Sequence, residues 1–370
     1  MTAQGSTSGR GTIGRRAAAG VAVAGAVGLG LLALPGGAGA APELPPVTAD
    51  ELVASVLTAD VGAFGGTVEL DNALGLPALP GMPQAAAGDS SARVWSDGEG
   101  RGRVQLPTDS GERTLVSDGE TFWAWNSEDQ TVHTAPADKG PAERESAVAD
   151  PTAAATEALD VLRASSEVRV DGTAEVAGRP AYELVLTPAA TERTLLREVR
   201  LAVDAEHRVP LRLTVLANGS TEPALQLGFT DLEFGPQDPE LFTFTPPPGA
   251  TVEPAPEDAG RPGGPHGGPL GGKPEGLPDG VEPTIVGDGW DTVAVISGGD
   301  LGGALDDPRR EGAPEGRPDI DLSALGTPVS GPWGSGTLIS TAVASAIITD
   351  DGRVAAGAVP EQVLTEALGQ

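Results

Sequence analysis

The residues that most often carry catalysis are scarce in this sequence and widely spaced. The chain has 370 residues, no cysteine and 3 histidines, which are His133, His207 and His266. The lack of cysteine excludes disulfides, cysteine nucleophiles and cysteine-ligated metals, and no two histidines have metal-binding spacing. The sequence also contains no Gly-x-Ser-x-Gly elbow and no P-loop. We therefore predict that the protein is not an enzyme and holds no cofactor.

One acidic stretch begins like a calcium-binding loop but lacks two residues that such a loop needs. Asp319 and Asp321 occupy the first and third positions. Ala324 stands where the sharp turn requires glycine, and Ser330 stands where a bidentate glutamate is required. We expect no metal at this stretch.

The composition is strongly acidic. The sequence has 53 Asp and Glu against 23 Lys and Arg, which gives a formal net charge of −30. Nucleic acid is excluded as a partner, because binding of phosphates requires clustered cations. The apolar content of 39% still supports a packed core.

The first 40 residues have the features of an export signal. Arg10, Arg15 and Arg16 precede an uncharged run over 17–34, and Ala38-Gly39-Ala40 provides the small residues of a cleavage site. The alternative is an N-terminal membrane anchor that is retained, because the run approaches the length of a membrane span. Both interpretations predict an extracytoplasmic protein, either secreted or membrane-associated through an uncleaved N-terminal segment.

Proline and glycine divide the rest of the chain. Residues 246–283 contain 11 Pro and 10 Gly, a composition typical of a linker. The predicted organisation is a signal peptide or anchor over 1–40, a large domain over 41–250, a linker over 251–283 and a small C-terminal domain over 284–370.

The large domain is predicted to be mainly β-structure. Thr48 and Glu51 form a capping box before a short helix, and Asp150-Pro151 is predicted to open a second helix. About ten short segments with strand patterns surround these helices, and turns such as Asp97-Gly98 separate them. Strands that follow one another with few intervening helices predict an antiparallel sheet.

One face of this sheet is predicted to be apolar, because alternate residues of a strand share a face. The short helices are expected to cover that face incompletely, which leaves an apolar cavity for a ligand. The alternative is that the same side chains form an ordinary core beneath the helices. The candidate cavity-lining residues are Trp123, Trp125, Tyr182, Leu184, Leu186, Leu211, Leu213, Leu225, Leu227 and Phe229.

The large domain contains three motifs, at residues 116–126 (VSDGETFWAWN), 178–184 (GRPAYEL) and 238–249 (DPELFTFTPPPG). In this order they resemble the motifs of the LolA-like lipoprotein-carrier superfamily, which includes the N-terminal domain of RseB and MucB. The resemblance implies an α+β fold. It would be a half-open antiparallel β-barrel of about ten or eleven strands, with helices covering an apolar cavity.

The C-terminal segment is similar to the small C-terminal domain of RseB and MucB. Short strands are expected at 289–293, 338–349, 353–356 and 357–360, and a closing helix is expected at 360–368. The resemblance implies a small C-terminal β/α domain.

The predicted function is binding of a lipid or of the acyl chain of a lipoprotein, as in a lipoprotein carrier. Burial of one methylene contributes about 0.8 kcal/mol, so a chain of ~14 carbons supplies on the order of 10 kcal/mol before association costs. The alternative is an RseB/MucB-like regulator in an envelope-stress pathway. Its partner would be a membrane-anchored anti-sigma factor.

Overall fold

The computed structural model describes residues 42–75, 88–108, 110–137, 156, 159–255, 283–296 and 326–369. The predicted signal or anchor, most of the predicted linker and the stretch from Asp319 to Ala324 lie outside these residues. In the described part, no helix is both long and apolar enough to cross a membrane. The same part holds no group of three or more His, Asp or Glu side chains that fits a metal ion.

Helix α1 (Ala49–Leu57) begins at the predicted capping box. The backbone N–H of Glu51 donates to Thr48 Oγ1 at 3.2 Å, and the backbone N–H of Thr48 donates to Glu51 Oε2 at 2.9 Å. These two bonds satisfy donors that the first helical turn leaves without partners. Leu52 then points into the core and is fully buried. Residues 159–163 are also helical, within the second predicted helix, whose expected start at 150–151 is not described.

Twelve strands form the large sheet. They are β1 (Phe64–Asn72), β2 (Gly88–Ser96), β3 (Gly102–Thr108), β4 (Gly111–Ser117), β5 (Thr121–Asn126), β6 (Thr131–Pro136), β7 (Ser166–Val176), β8 (Arg179–Pro188), β9 (Leu196–Asp204), β10 (Pro210–Ala217), β11 (Pro223–Phe234) and β12 (Thr251–Pro254). Their order is β12-β6-β5-β4-β3-β2-β1-β11-β10-β9-β8-β7. Neighbouring strands are antiparallel except β12, which runs parallel to β6.

The sheet is not closed, and β12 and β7 are its two edges. The molecule is therefore an α+β protein made mostly of strands, as predicted. Two strands differ from the sequence-based expectation. No strand was expected at β1, where Gly65-Gly66 interrupts the pattern. β12 lies in the predicted linker, and its Pro254 is tolerated because the strand is at an edge.

Six strands form a second, smaller sheet. They are β13 (Thr284–Val286), β14 (Val293–Ile296), β15 (Thr327–Gly331), β16 (Gly334–Ser340), β17 (Ser345–Thr349) and β18 (Val354–Gly357), followed by helix α2 (Glu361–Leu368). The order is β13-β14-β18-β17-β16-β15. Ile347, Val359 and Leu364 are fully buried in a core between this sheet and α2.

The expected strand at 289–293 begins only at its last residue. Gly289–Asp291 is a single turn of 3₁₀ helix, and strand β14 starts at Val293. Gly287 and Gly289 have φ of 84° and 74°, in the left-handed region that glycine adopts without steric cost. These two glycines turn the chain where the alternation of residue types indicated a strand.

The small sheet touches the rim of the large one through polar contacts. The indole N–H of Trp290 donates to Ser166 Oγ at 2.7 Å, and its backbone N–H donates to Glu192 Oε2 at 2.7 Å. Arg193 Nη1 donates to Glu366 Oε2, also at 2.7 Å. The contact therefore joins the turn before β14, and helix α2, to the start of β7 and the loop between β8 and β9.

Candidate functional site

A row of apolar side chains crosses six strands of the large sheet. Residues that lie directly opposite each other on neighbouring strands share a face of the sheet. Across β1, β11, β10, β9, β8 and β7, the opposed residues are Leu70, Leu227, Leu213, Leu201, Leu184 and Val170. At a strand spacing of about 4.8 Å, this row extends over roughly 24 Å.

A second apolar row lies beside the first, two residues along each strand. It consists of Leu225, Val215, Val199, Leu186 and Val168 on strands β11, β10, β9, β8 and β7. We call the surface formed by the two rows the leucine face.

Helix α1 packs on one end of the leucine face. Leu52 lies in one buried cluster with Tyr182 and Leu184, each of which is 5% exposed. The Tyr182 hydroxyl donates to the carbonyl oxygen of Pro45 at 3.0 Å, which fixes the segment that leads into the helix. The leucines of β10 and β11 are only half-buried. Within the two rows Leu184 is buried, whereas the other residues, from Val170 on β7 to Leu70 on β1, are half-buried.

Seven of the ten predicted cavity-lining residues lie on this side of the sheet. They are Tyr182, Leu184, Leu186, Leu213, Leu225, Leu227 and Phe229. Sequence reasoning missed Leu70, Leu201 and Val170, although Leu201 alternates with Val199 and Val203 in a pattern that indicates its face.

Leu211 belongs to a separate buried cluster near the other end of the strands, with Val176 and Leu232. The half-buried Phe229, which lies opposite Val68, packs against this cluster. The pairing of β10 shifts between Pro210 and Arg212, and that of β1 with β11 shifts between Thr67 and Val68. Such bulges bend a strand and redirect its side chains, and sequence alternation does not reveal them.

The structure does not bring Trp123 and Trp125 together with the leucines. Gly66, on the same face as Leu70, lies opposite Val94, and the row continues through Val104 and Leu115 to Ala124. The two tryptophans flank Ala124 in β5, so they lie on the opposite face. Alternation establishes that the tryptophans share a face, but only the register establishes which one.

The third motif, residues 238–249, packs on the face of the sheet that carries the two tryptophans. The ring centroids of Trp123 and Phe244 are 5.7 Å apart. Phe242 is 1% exposed, and the Arg101 guanidinium lies 5.4 Å from its ring centroid. Arg103 Nη1 donates to the carbonyl oxygen of Leu241 at 3.3 Å. The segment after β11 therefore covers the face opposite the leucines.

Asp118 holds the hairpin of the first motif in place. Burial raises the pKa of Asp118, but bonds from the backbone N–H groups of Thr121 and Glu120 and from the Trp123 indole outweigh it, so the pKa is lowered. The indole bond measures 3.2 Å from Trp123 Nε1 to Asp118 Oδ2. The motif residues thus stabilise the hairpin and do not face the leucines.

A small cavity of about 50 Å³ lies on the small domain, where the loop between β8 and β9 contacts it. Its lining includes Arg193, Asp291, Val363 and Glu366. Pockets for small molecules are typically about 300–1,000 Å³, so this cavity is too small for a lipid.

No protein-family profile and no curated protein matches the chain. Similar solved structures include the MucA/MucB complex of Pseudomonas aeruginosa, at 18% identity over 86% of this chain and 96% of that chain, with a TM-score of 0.42. A LolA superfamily protein of Nitrosomonas europaea is 13% identical over 54% of this chain and 99% of that chain, with a TM-score of 0.23. The lipoprotein LppX of Mycobacterium tuberculosis is 11% identical over 49% and 92%, with a TM-score of 0.28. MucB and LolA-superfamily proteins, whose motifs the sequence resembles, are thus among the solved structures that are similar to this chain.

Proposed function

We propose that this protein is an exported, non-enzymatic binding protein. Its large sheet, a half-open barrel, holds the acyl chain of a lipid or lipoprotein against the leucine face. One observation supports the proposal above all. Apolar residues that lie opposite one another on neighbouring strands form a row from Leu70 on β1 to Val170 on β7. Helix α1 packs on this row near Leu184 of β8.

The energetics of such a face suit an acyl chain. An alkyl chain has no polar groups, so it binds apolar side chains without leaving donors or acceptors unpaired. A chain of ~14 carbons gains on the order of 10 kcal/mol from burial, at about 0.8 kcal/mol per methylene. Association costs at the low end of their range, about 4 kcal/mol, leave about −6 kcal/mol, which lies between millimolar and micromolar affinity.

Native mass spectrometry of the exported protein tests this proposal. We expect the purified chain to carry adducts with the mass of an acyl lipid, and to take up tetradecanoate after those adducts are extracted. A protein that carries no adduct, and that takes up no acyl chain after extraction, contradicts the proposal.

The site of export processing is part of the same proposal. Removal of the predicted signal leaves a chain that begins after Ala40. The intact mass of the mature protein distinguishes this product from a chain that keeps residues 1–40 as a membrane anchor. A full-length protein that stays in the cytoplasm would contradict both the cleaved form and the membrane-anchored form.

The second candidate function is that of a regulator that binds a membrane-anchored anti-sigma factor. The small sheet favours it, because its edge strand β13 presents Ile285, which is 58% exposed. An edge strand with an exposed apolar side chain suits the addition of a strand from a partner.

The regulator function is tested by mixing the full chain with the extracytoplasmic segment of an anti-sigma factor from the same genome. A one-to-one complex that is lost in Ile285→Glu supports this function. The matched control is Val252→Glu on edge strand β12, where Val252 is 51% exposed. Absence of any complex contradicts the regulator function and leaves the acyl-chain proposal untouched.

A further inference from the structure

The leucine face and its continuation across the sheet carry no carboxylate in strands β1–β6 and β8–β11. Every Asp and Glu of these strands lies on the opposite face by the strand register. They are Glu69, Asp71, Asp89, Glu112, Glu183, Glu198, Asp204, Asp231 and Glu233. In a chain with 53 acidic residues, these ten strands carry none on this face, and only the outermost strands add one each, Glu175 on β7 and Glu253 on β12.

Two cations on the opposite face, Arg200 and Arg212, are compensated by these carboxylates. Arg200 Nη1 lies 3.1 Å from one oxygen of Glu183, and Arg212 Nη2 lies 3.3 Å from the other. Arg200 Nε also donates to Glu198 Oε1 at 2.9 Å. On strands β8–β10, the opposite face therefore carries a network of arginines and carboxylates that neutralise one another.

Two arginines of the same strands lie on the leucine side instead, and they differ in what they contact. Arg197 donates to the carbonyl oxygen of Ser220 and lies 3.5 Å from Glu198. Arg113 is exposed and makes no hydrogen bond or ion pair within the described part of the chain. Its cross-strand neighbours are Leu106 on β3 and Asn126 on β5.

Two acidic groups lie beyond Arg113 towards the β12 edge. Asp129, on the turn after β5, accepts a hydrogen bond from Asn126 Nδ2 at 3.1 Å. Glu253 lies on β12 opposite His133. Neither forms an ion pair with Arg113, so the guanidinium keeps its donors available for a ligand.

The position of Arg113 suits one end of an extended amphiphile. From Leu227 on β11 the sheet crosses β1, β2 and β3 before it reaches Arg113 on β4. Four strand spacings of about 4.8 Å place the guanidinium ~19 Å along the sheet from that leucine. The residues between them on this face include Val68, Ala92 and Leu106, which are apolar.

We infer that the ligand is an amphiphile with an anionic head group, whose carboxylate or phosphate pairs with Arg113 while its chain lies along the leucine face. The inference rests on the proposed function and adds to it the chemistry of the head group. A guanidinium offers a planar set of donors that binds carboxylate or phosphate in a bidentate manner. Strands β3–β5 carry no carboxylate on this face, so none beside Arg113 repels such a group.

The test is a displacement titration of an apolar fluorescent probe bound to the full chain. The competitors are tetradecanoate, tetradecyl phosphate and the uncharged 1-tetradecanol, each below its aggregation limit. We expect the two anionic chains to bind about tenfold more tightly than the alcohol in the unaltered protein. Inorganic phosphate alone is expected to displace no probe, which distinguishes a head group from a free anion.

Arg113→Gln is expected to remove the preference for anionic chains and to leave binding of the alcohol unchanged. Arg113→Lys is expected to retain part of the preference. The matched control is Arg93→Gln, because Arg93 is an exposed arginine on β2 that lies on the opposite face. Thermal unfolding of each variant verifies that it is folded.

Three outcomes overturn the inference. If Arg113→Gln binds all three chains as the unaltered protein does, or if Arg93→Gln has the same effect as Arg113→Gln, the inference fails and the proposed function stands. If the unaltered protein binds none of the three chains, the proposed function fails as well.

Discussion

Asp204 is fully buried and accepts two hydrogen bonds from one side chain, Arg179. Arg179 Nε lies 2.5 Å from Asp204 Oδ2, and Nη2 lies 3.2 Å from Oδ1. The backbone N–H groups of Glu206 and His207 donate to the same carboxylate. Phe234 packs against both His207 and Arg179. This arrangement joins strands β8, β9 and β11 at the end of the sheet away from the small domain.

Substitution of this carboxylate is expected to destabilise the large domain. Asp204→Asn removes the charge that Arg179 faces, and loss of one partner of a buried pair costs about 3–5 kcal/mol. Because Arg179 is 21% exposed, we expect a smaller loss of about 2–4 kcal/mol in the free energy of unfolding. Urea denaturation measures it.

The control for that prediction is Asp171→Asn, which breaks an exposed pair with Arg169. Exposed pairs are worth at most about 1 kcal/mol. Equal destabilisation by the two substitutions would show that burial of Asp204 has no special role.

The same carboxylate predicts how stability depends on pH. Burial raises the pKa of Asp204, but Arg179 and the two backbone donors outweigh burial, so the folded-state pKa is lowered. A lowered pKa stabilises the fold above the unfolded-state value of about 3.9, and this stabilisation is lost as pH falls through the folded-state value. We expect the stability difference between the unaltered protein and Asp204→Asn to be constant from pH 7 to 5. It should shrink towards pH 3, and a difference that grows on acidification is incompatible with this explanation.

Substitution on the leucine face is expected to weaken acyl-chain binding. Leu227→Asn places an amide among apolar residues, where an unpaired polar group costs about 1–3 kcal/mol. We expect tetradecanoate to bind about tenfold more weakly, as measured by probe displacement. The control is Gln226→Asn, the preceding residue, whose side chain lies on the other face. Comparable weakening by both substitutions would place the ligand elsewhere.

Trp123 is expected to affect stability and not binding. Trp123→Phe loses the bond to Asp118 and part of the contact with Phe244. We expect a loss of about 1–2 kcal/mol in unfolding free energy and unchanged affinity for acyl chains. A variant that is as stable as the unaltered protein but fails to bind would assign this tryptophan to the ligand site.

Gly289 is expected to control how the small domain docks. A Cβ at this position would lie 2.7 Å from Ser165 Cβ and 2.8 Å from Glu192 Oε2, and its φ is 74°. We expect Gly289→Ala to separate the calorimetric unfolding of the two domains, because the clash lies at their contact. Gly178→Ala is the control, since its φ is 72° but no atom lies within 4 Å of the added Cβ. It should lower stability without separating the transitions.

Local signals in the sequence predicted local structure well. The capping box at Thr48 and Glu51 forms as expected, and the Asp118-Gly119 turn connects β4 to β5. Both depend on residues a few positions apart, whose chemistry determines the backbone there.

Two features depend instead on residues that are distant in the sequence. They are the presence of strand β1 and the face of the sheet on which each candidate site residue lies. Two positions of β1 require glycine, because neighbouring strands leave no room for a side chain. A Cβ at Gly65 would lie 2.8 Å from Trp95, and one at Gly66 would lie 2.5 Å from the carbonyl oxygen of Asp231. Read alone, two adjacent glycines indicate a break. In the same way, only the register across β1 to β5 separates Trp123 from the leucines.

Photo-crosslinking with a diazirine-bearing fatty acid, followed by peptide mapping, tests most directly whether the leucine face binds an acyl chain. With the diazirine near the methyl end, we expect label on the peptides that carry Leu70 and Leu227, which lie opposite one another on β1 and β11. Label confined to the tryptophan face around Trp123, or no label on the folded protein, would contradict the account.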